Sequence, residues 1–439
     1  MPSELRRRLA ALDLAAEGAA MYAFATELYP VFRSLTGEGV RRTLEAVGER
    51  VPLTVHEVPT GTPALDWTVP REWTVREAWI KGPGGEVVAD IRRHNLHLVG
   101  YSVPVRARMP LADLQPHLHS LPERPEWIPY RTSYWRETWG FCLAHAERER
   151  LPEGEYEVCI DSTLADGALT YGECFLPGEE DAEVLLSCHV CHPSLANDNL
   201  SGIVVATALA SILGGARRRL GCRLLLAPGT IGAITWLARN EALVPRVAHG
   251  LVMANLGDPG GFHYKRSRRG DAAIDRAVPR ALAELGEPVA VEPFVPYGYD
   301  ERQYGSPGYD LPVGSLTRTP WGRYPQYHTS ADDLELVRPE ALAGSLRAYL
   351  AVLTLLEENR AYRNLSPKGE PQLGRRGLYG SLGGDERGRE RELALLWVLN
   401  QSDGSRDLLA IAERSGLSFG ALAEAAEALV GAGLLAAVR

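Results

Sequence analysis

Long apolar runs are missing from this sequence, and so is the apolar core of a secretion signal. No stretch of about 18 uncharged apolar residues occurs, although a helix needs about that length to cross a bilayer. The N-terminal segment carries Arg6, Arg7 and Arg8 and is then interrupted by Asp13 and Glu17, which is the pattern of an amphipathic helix. These absences predict a cytoplasmic protein that has no membrane partner.

Cysteine is scarce, with six residues in a chain of 439. Most of the six lie in apolar, strand-like runs, which favours reduced, buried thiols over a disulfide framework. Cys188 and Cys191 have the Cys-x-x-Cys spacing, but no second pair completes a four-cysteine zinc site. The sequence therefore argues against a disulfide scaffold and against a zinc-finger type of site.

An excess of positive charge is also missing, because the formal net charge is -9. Nucleic-acid binding requires a positive field at the phosphates, so nucleic acid is not expected as the main partner. A small peptide or an aminoacylated small molecule is the expected partner, and homo-oligomerisation is left open.

The length and the changes of texture along the chain predict several domains. Residues 1–50 and 151–365 form the predicted α/β domain, in which apolar runs alternate with helical segments. This alternation indicates a mostly parallel sheet covered on both faces. Residues 51–150, where short β-like runs alternate with Pro and Gly turns, form a predicted inserted β-rich domain. Residues 366–384 are a predicted linker, and residues 385–439 a predicted winged-helix-like domain.

The C-terminal segment has the outline of a winged helix-turn-helix module. Helices are predicted over residues 390–399, 407–414 and 418–430, with a glycine turn at Gly416. The helix that would read DNA contains no Lys or Arg between Ser418 and Glu427. Because a major-groove reader needs cations, we expect protein contact or dimerisation instead of DNA binding.

The densest chemical signal is the segment from Ser187 to Gly202, SCHVCHPSLANDNLSG, between an apolar strand and a helix. Ligands of open α/β sheets bind at the carboxyl ends of strands, and zinc accepts an imidazole and a carboxylate there. His189 and Asp198 are therefore candidate metal ligands. A purely structural alternative is that His189 and His192 satisfy buried backbone groups and that Asp198 caps the following helix.

A second cluster, Tyr327-His328-Thr329-Ser330-Ala331-Asp332-Asp333, supplies another imidazole near the end of the same domain. Two such clusters that bracket one α/β domain favour a shared metal site, with His328 as a third ligand.

These clusters, together with Gly298-Tyr299-Asp300-Glu301-Arg302-Gln303 and Ser306-Pro307-Gly308, make the sequence similar to a bacterial aminopeptidase-like family of domains of unknown function. That family is related to the two-zinc aminopeptidases, and the resemblance covers nearly the whole chain, including Arg131-Thr132-Ser133-Tyr134-Trp135 of the inserted module. It implies a zinc aminopeptidase scaffold in which His189 opens the site, Asp198 bridges metals and His328 closes it. One or two zinc ions are the implied cofactor.

The sequence departs from this family at two acidic positions. The family's Pro-Glu-Thr-Ile-Gly becomes Pro228-Gly229-Thr230-Ile231-Gly232, which removes the glutamate that would act as general base or ligand. Glu301, Asp300 and Glu173 are candidates to replace it, with Glu301 and Asp300 as the predicted catalytic residues. The remaining acidic ligand, Asp258, lies one position later than in the two-zinc enzymes, so one zinc ion is an alternative to two.

Substrate-binding candidates come from a basic run and from the second cluster. Arg266 and Arg268 lie in Lys265-Arg266-Ser267-Arg268-Arg269, which is either a solvated loop or a clamp for a carboxylate or phosphate. Tyr327, which directly precedes His328 in the second cluster, is the third substrate-binding candidate.

The predicted function is metal-assisted hydrolysis of an amide bond next to a free amine, in a small peptide or an aminoacylated metabolite. The alternative is a non-catalytic or catalytically impaired ligand-binding protein, because Gly229 replaces the family's glutamate.

Overall fold

The computed structural model describes residues 3–134, 136–379 and 386–438. Trp135 and the end of the predicted linker, from 380 to 384, lie outside the described residues, as do residues 385 and 439 of the predicted winged-helix-like domain. The described helices are α1 Glu4–Ala10, α2 Leu14–Leu28, α3 Glu38–Gly48, α4 Leu111–Leu114, α5 His145–Arg148, α6 Ser201–Leu213, α7 Ile231–Arg239, α8 Ala273–Glu284, α9 Glu301–Tyr304, α10 Pro339–Glu358, α11 Glu386–Gln401, α12 Leu408–Ser415 and α13 Phe419–Gly431. The strands are β1 Thr54–Pro59, β2 Pro63–Ala64, β3 Trp67–Thr68, β4 Glu72–Lys81, β5 Val87–Asp90, β6 Val105–Pro110, β7 Leu118–His119, β8 Phe141–Cys142, β9 Glu155–Ala165, β10 Ala168–Leu176, β11 Glu183–His189, β12 Gly221–Ala227, β13 Val247–Met253, β14 Phe262–Lys265, β15 Val289–Glu292, β16 Val313–Thr317, β17 Ala361–Asn364, β18 Asp403–Asp407 and β19 Leu435–Ala437.

An eight-stranded sheet forms the centre of the molecule, in the order β1-β10-β12-β11-β13-β16-β14-β15. The four middle strands, β12, β11, β13 and β16, are parallel to one another. Strands β11 and β12 are buried along their whole length, as expected for a sheet covered on both faces. The predicted α/β fold with a mostly parallel sheet is confirmed.

The apolar helices α6 and α10 pack against this sheet and complete its core. α10 begins with Pro339 at its first position, where a missing N–H costs nothing, and contacts α2, α6 and α8. One helical span, Ala196–Leu213, is long and apolar enough to cross a membrane, but 83% of it is buried inside the molecule, as in a core helix. The cytoplasmic location stays a prediction.

A smaller antiparallel sheet, in the order β5-β4-β9-β6, forms the β-rich part of the chain. Its membership crosses the predicted boundaries, because β9 starts at Glu155 and β1 belongs to the large sheet through its pairing with β10. Short strands with similar local texture cannot reveal which sheet they join, since pairing depends on distant partners. The domain boundaries as such stay predictions.

The C-terminal module packs α11, α12 and α13 against a small sheet in the order β18-β17-β19. The three helices agree with the predicted segments. Strand β17, at Ala361–Asn364, belongs to this sheet, although the sequence placed these residues in the α/β domain. Its partners lie about 40 and 70 residues later in the sequence, so local pattern could not assign it.

Candidate metal centre

The candidate site lies where the parallel strands end. His189 is the last residue of β11, and Gly229 follows two residues after the end of β12. Side chains placed beyond the carboxyl ends of adjacent parallel strands share one edge of the sheet, which is the usual place for a ligand in this class of fold.

Asp198 is the hub of the site and is completely buried. Its Oδ1 lies 2.8 Å from Nε2 of His189, and its Oδ2 lies 3.0 Å from Nε2 of His328. Nε2 of His192 is 3.8 Å from the same Oδ2. The structure therefore brings together His189, Asp198 and His328, as predicted, and adds His192.

The helix-cap alternative for Asp198 is wrong. The side chain of Asp198 accepts no hydrogen bond from the first backbone N–H groups of α6. Asn199 Oδ1 takes that place and accepts a hydrogen bond from Gly202 N at 3.2 Å. Asn199, which also donates through Nδ2 to the His189 and Met253 carbonyl oxygens, at 3.2 and 3.0 Å, performs the local structural role. The Asp198 carboxylate is thus left for the imidazoles.

A second buried carboxylate holds the two sequence clusters against each other. Asp332 accepts hydrogen bonds from the backbone N–H groups of Asn197, at 2.6 Å, and Asp198, at 3.1 Å. Because Asp332 lies four residues after His328, these bonds fix the position of the second cluster relative to Asp198. Burial raises the pKa of Asp332 to about 8, against the effect of these N–H donors.

Electrostatics prepare the cluster for a cation. Burial raises the pKa of Asp198, but the imidazoles of His192, His189 and His328 outweigh it and hold this pKa well below its usual range. Burial lowers the pKa of His192 to about 3, although Asp198 opposes the shift. An ionised carboxylate beside a neutral imidazole is the protonation state that a metal requires of its ligands.

Of the two predicted catalytic carboxylates, Asp300 faces the site. A Cβ atom built on Gly229 would lie 3.7 and 3.8 Å from the two carboxylate oxygens of Asp300 and 3.3 Å from Cβ of His189. Oδ1 of Asp300 is buried and has no hydrogen-bond partner among the described residues. Burial raises the pKa of Asp300 to about 7. Glu301 instead forms a buried ion pair with Lys265.

The structure does not bring Asp258 into the imidazole cluster. Its carboxylate accepts hydrogen bonds from Asn197 Nδ2 at 3.1 Å, Gly260 N at 2.8 Å and the hydroxyl of Thr319. These partners occupy its oxygens because the chain turns directly after it. Glu173 has other partners as well. It forms an ion pair with Arg223 and accepts a hydrogen bond from the indole N–H of Trp236.

The basic run lies apart from the metal cluster. Arg266 and Arg268 line a separate cavity of about 590 Å³, and Arg268 pairs with Asp310 at 2.7 Å. Tyr327, in contrast, stacks on His328 with ring centroids 3.9 Å apart and lines the cavity above the cluster.

That cavity has a volume of about 430 Å³ and an aromatic mouth. Trp67, Tyr134 and Tyr297 line it and are 47%, 51% and 62% exposed. Arg302 also lines it, with Nε buried and without a hydrogen-bond partner among the described residues. The sequence analysis did not name Arg302 as a candidate binding residue, although it lies within the Gly298–Gln303 motif.

The donor set fits zinc. His189, His192 and Asp198 each offer one donor atom, and these three atoms lie within 4.8 Å of one another. His328 contacts Oδ2 of Asp198 through its Nε2 atom. Imidazole nitrogens with one carboxylate are ligands that zinc prefers. The sequence analysis did not name His192 as a candidate ligand, although a signal was present in the pair of histidines three residues apart at one strand end.

Comparisons with known proteins agree with this architecture. A family model described as a domain of unknown function (DUF4910) matches residues 22–359, and a winged helix-turn-helix model matches residues 360–437. A protein of Clostridium acetobutylicum, described as a candidate polysaccharide biosynthesis protein with an aminopeptidase-like domain, is 47% identical over 412 residues, which are 94% of this chain and 95% of that protein.

Two solved structures place the fold. The crystal structure of a candidate peptidase from Clostridium acetobutylicum superposes with a TM-score of 0.93 at 44% identity and covers 99% of both chains. A zinc aminopeptidase from Bacillus subtilis has a TM-score of 0.57 at 11% identity, over 76% of this chain and 94% of that one. The second likeness concerns the fold alone. The chain belongs to the DUF4910 family, and its aminopeptidase-like domain is followed by a winged helix.

Proposed function

We propose that this protein is a metal-dependent hydrolase that cleaves an amide bond in a small peptide or an aminoacylated metabolite. The observation that carries the proposal is the position of Asp300. One oxygen of its carboxylate is buried and has no hydrogen-bond partner in the described part of the chain. The carboxylate lies against Gly229, the position where the family resemblance implies a glutamate. This proximity supports the proposal that Asp300 serves as the base in place of a glutamate at position 229.

A single zinc ion is the proposed cofactor, held by Asp198 and the imidazoles around it. When bound, it would polarise the scissile carbonyl and acidify an attacking water. One ion fits better than two because Gly229 offers no side-chain ligand and the oxygens of Asp258 are already hydrogen-bonded.

Asp300 is the proposed proton acceptor in the hydrolysis. Burial raises its pKa to about 7, and a base works best when its pKa is near the working pH. The guanidinium group of Arg302, which lines the cavity, can bind a carboxylate of the substrate, since guanidinium groups pair well with carboxylates.

The aromatic mouth narrows the proposed substrate. Exposed rings such as Trp67 and Tyr297 offer flat apolar faces with polar edges, which suit the C–H face of a sugar as well as an apolar side chain. The relative from Clostridium acetobutylicum is described as a candidate polysaccharide biosynthesis protein. We therefore include an aminoacylated sugar in the proposed substrate class.

A matched pair of variants tests this proposal. Zinc-loaded wild type is assayed on a panel of aminoacyl and peptidyl amides, beside Asp300→Asn and the control Asp310→Asn, which alters a carboxylate that pairs with Arg268 outside the site. Loss of the base should lower kcat by about 10² to 10⁴ without loss of zinc, whereas Asp310→Asn should stay near wild type.

Two results would contradict it. Full activity in Asp300→Asn would remove Asp300 from the mechanism. A zinc-loaded wild type that hydrolyses no member of the panel would refute amide hydrolysis and favour the ligand-binding alternative.

A further inference from the structure

We infer that His192 is a direct ligand of the metal, so that an imidazole compensates for the acidic ligands that this chain lacks. The inference deepens the proposed function and rests on its metal, but not on hydrolysis. Its basis is the convergence of His189, His192 and Asp198, whose donor atoms all lie within 4.8 Å of one another.

The distance from His192 to Asp198, 3.8 Å, suits two ligands of one metal ion better than a direct hydrogen bond. Two ligands of a tetrahedral zinc ion, each at about 2.0 to 2.1 Å from it, lie about 3.3 Å apart. The separations from Asp198 oxygens to Nε2 of His189, His328 and His192 are 2.8, 3.0 and 3.8 Å, which bracket that value. At 3.8 Å, His192 is beyond hydrogen-bond reach of Asp198, so a hydrogen bond to Asp198 does not explain its position.

The backbone and neighbouring groups orient this imidazole. The carbonyl oxygen of His192 accepts a hydrogen bond from Nε of Arg33 at 2.8 Å, and Arg33 is only 1% exposed. Nδ1 of His192 lies 3.4 Å from Sγ of Cys191. The opposite nitrogen, Nε2, therefore faces Asp198. A partner on the second ring nitrogen is what a metal-binding histidine normally has.

Ring packing closes the remaining sides. The ring centroid of His192 is 4.9 Å from that of His189, 5.2 Å from that of His328 and 5.1 Å from that of Tyr130. With His328 included, the set is three imidazoles and one carboxylate. Such a nitrogen-rich set favours zinc over magnesium, calcium or manganese, which prefer oxygen ligands.

X-ray absorption at the zinc edge tests the inference directly, because its fine structure counts imidazole ligands. Zinc-loaded wild type is compared with His192→Ala and with the control His145→Ala, whose ring lies beside the Ser120 hydroxyl in the β-rich part of the chain. We expect His192→Ala to show one imidazole fewer and a Kd for zinc at least about 100-fold higher, by competition with a chromophoric chelator. His145→Ala should match wild type.

A second variant covers the case in which His192→Ala fails to fold. In Co²⁺-loaded His192→Cys, a thiolate-to-cobalt charge-transfer band that wild type lacks would place side chain 192 on the metal. An unchanged imidazole count with a zinc Kd within threefold of wild type, or no new band in His192→Cys, would overturn the inference.

The outcomes separate this inference from the proposed function. Loss of one imidazole in a protein that hydrolyses no amide would support the ligand and refute the activity. Active enzyme with an unchanged zinc site in His192→Ala would refute the ligand alone. A wild type that binds no zinc would refute both.

Discussion

At the scale of single residues, Asp300 places a carboxylate next to Gly229, which has no side chain to offer. Gly229 leaves a space next to His189, and Asp300 fills its far side. Asp300 comes from a segment about 70 residues later in the chain, so the replacement preserves a carboxylate near the cluster without preserving its position in the sequence.

This arrangement predicts the effect of restoring glutamate at position 229. In Gly229→Glu, the new carboxylate would meet the oxygens of Asp300, because even the first side-chain atom would lie 3.7 and 3.8 Å from them. Like charges in a buried site repel strongly. We expect kcat/KM to fall at least about tenfold, equivalent to about 1.4 kcal/mol.

The matched control is Gly229→Ala, which adds the same Cβ atom without the charge and needs only a small shift of His189 Cβ, 3.3 Å away. Steady-state kinetics of the two variants separate crowding from charge. A gain of activity in Gly229→Glu would contradict a relocated base and indicate a lapsed enzyme instead.

At the scale of elements, the C-terminal module contacts the α/β domain through the N-terminal end of α13. This is the helix that a winged helix-turn-helix protein would insert into DNA. Glu284, the last residue of α8, accepts hydrogen bonds from the N–H groups of Phe419 and Gly420 at the start of α13. Arg280 of the same helix donates to the Leu417 carbonyl oxygen. The first turn of α13 therefore faces the α/β domain.

We accordingly predict that the protein does not bind duplex DNA with useful affinity. Recognition helices contact base edges through their N-terminal residues, and here those residues carry no cation and are covered. Fluorescence anisotropy with labelled duplexes at two salt concentrations measures this for wild type and for Glu284→Gln, which weakens the docking contact. A salt-dependent complex with a sub-micromolar Kd in either protein would contradict the prediction.

At the scale of the whole molecule, the half-buried, neutral imidazole of His249 couples stability to pH. His249 lies in the central strand β13, where burial, with a contribution from Arg219, lowers its pKa to about 4. Nδ1 of His249 has no hydrogen-bond partner among the described residues. Protonation is therefore costly in the folded chain and free of that cost in the unfolded chain, whose imidazoles titrate near 6.5.

The sign follows from linkage. Because the folded pKa lies below the unfolded one, the unfolded state binds more protons between these values, and stability falls as the pH drops below about 6.5. Between pH 7.5 and 5, wild type should lose about 2 kcal/mol more of its free energy of unfolding than His249→Gln. Urea unfolding at both pH values checks this, and an equal loss in the two proteins would refute it.

The sequence by itself determined the fold class, the family and the three residues His189, Asp198 and His328. It could do so because strands and helices follow from local periodicity, and because two ligands lie in one short motif at a strand end. The zinc-type donor set was also visible there, since His189 and Asp198 are nine positions apart.

Tertiary structure alone decided which carboxylate faces the site and which residues surround it. Asp300 was separated from Glu301 because adjacent side chains at the start of a helix point in different directions, one toward Gly229 and the other toward Lys265. Asp258 was withdrawn by hydrogen bonds to a neighbouring loop, and β1 and β17 were assigned to their sheets by distant partners. These outcomes depend on contacts between segments far apart in the chain, which local pattern does not encode.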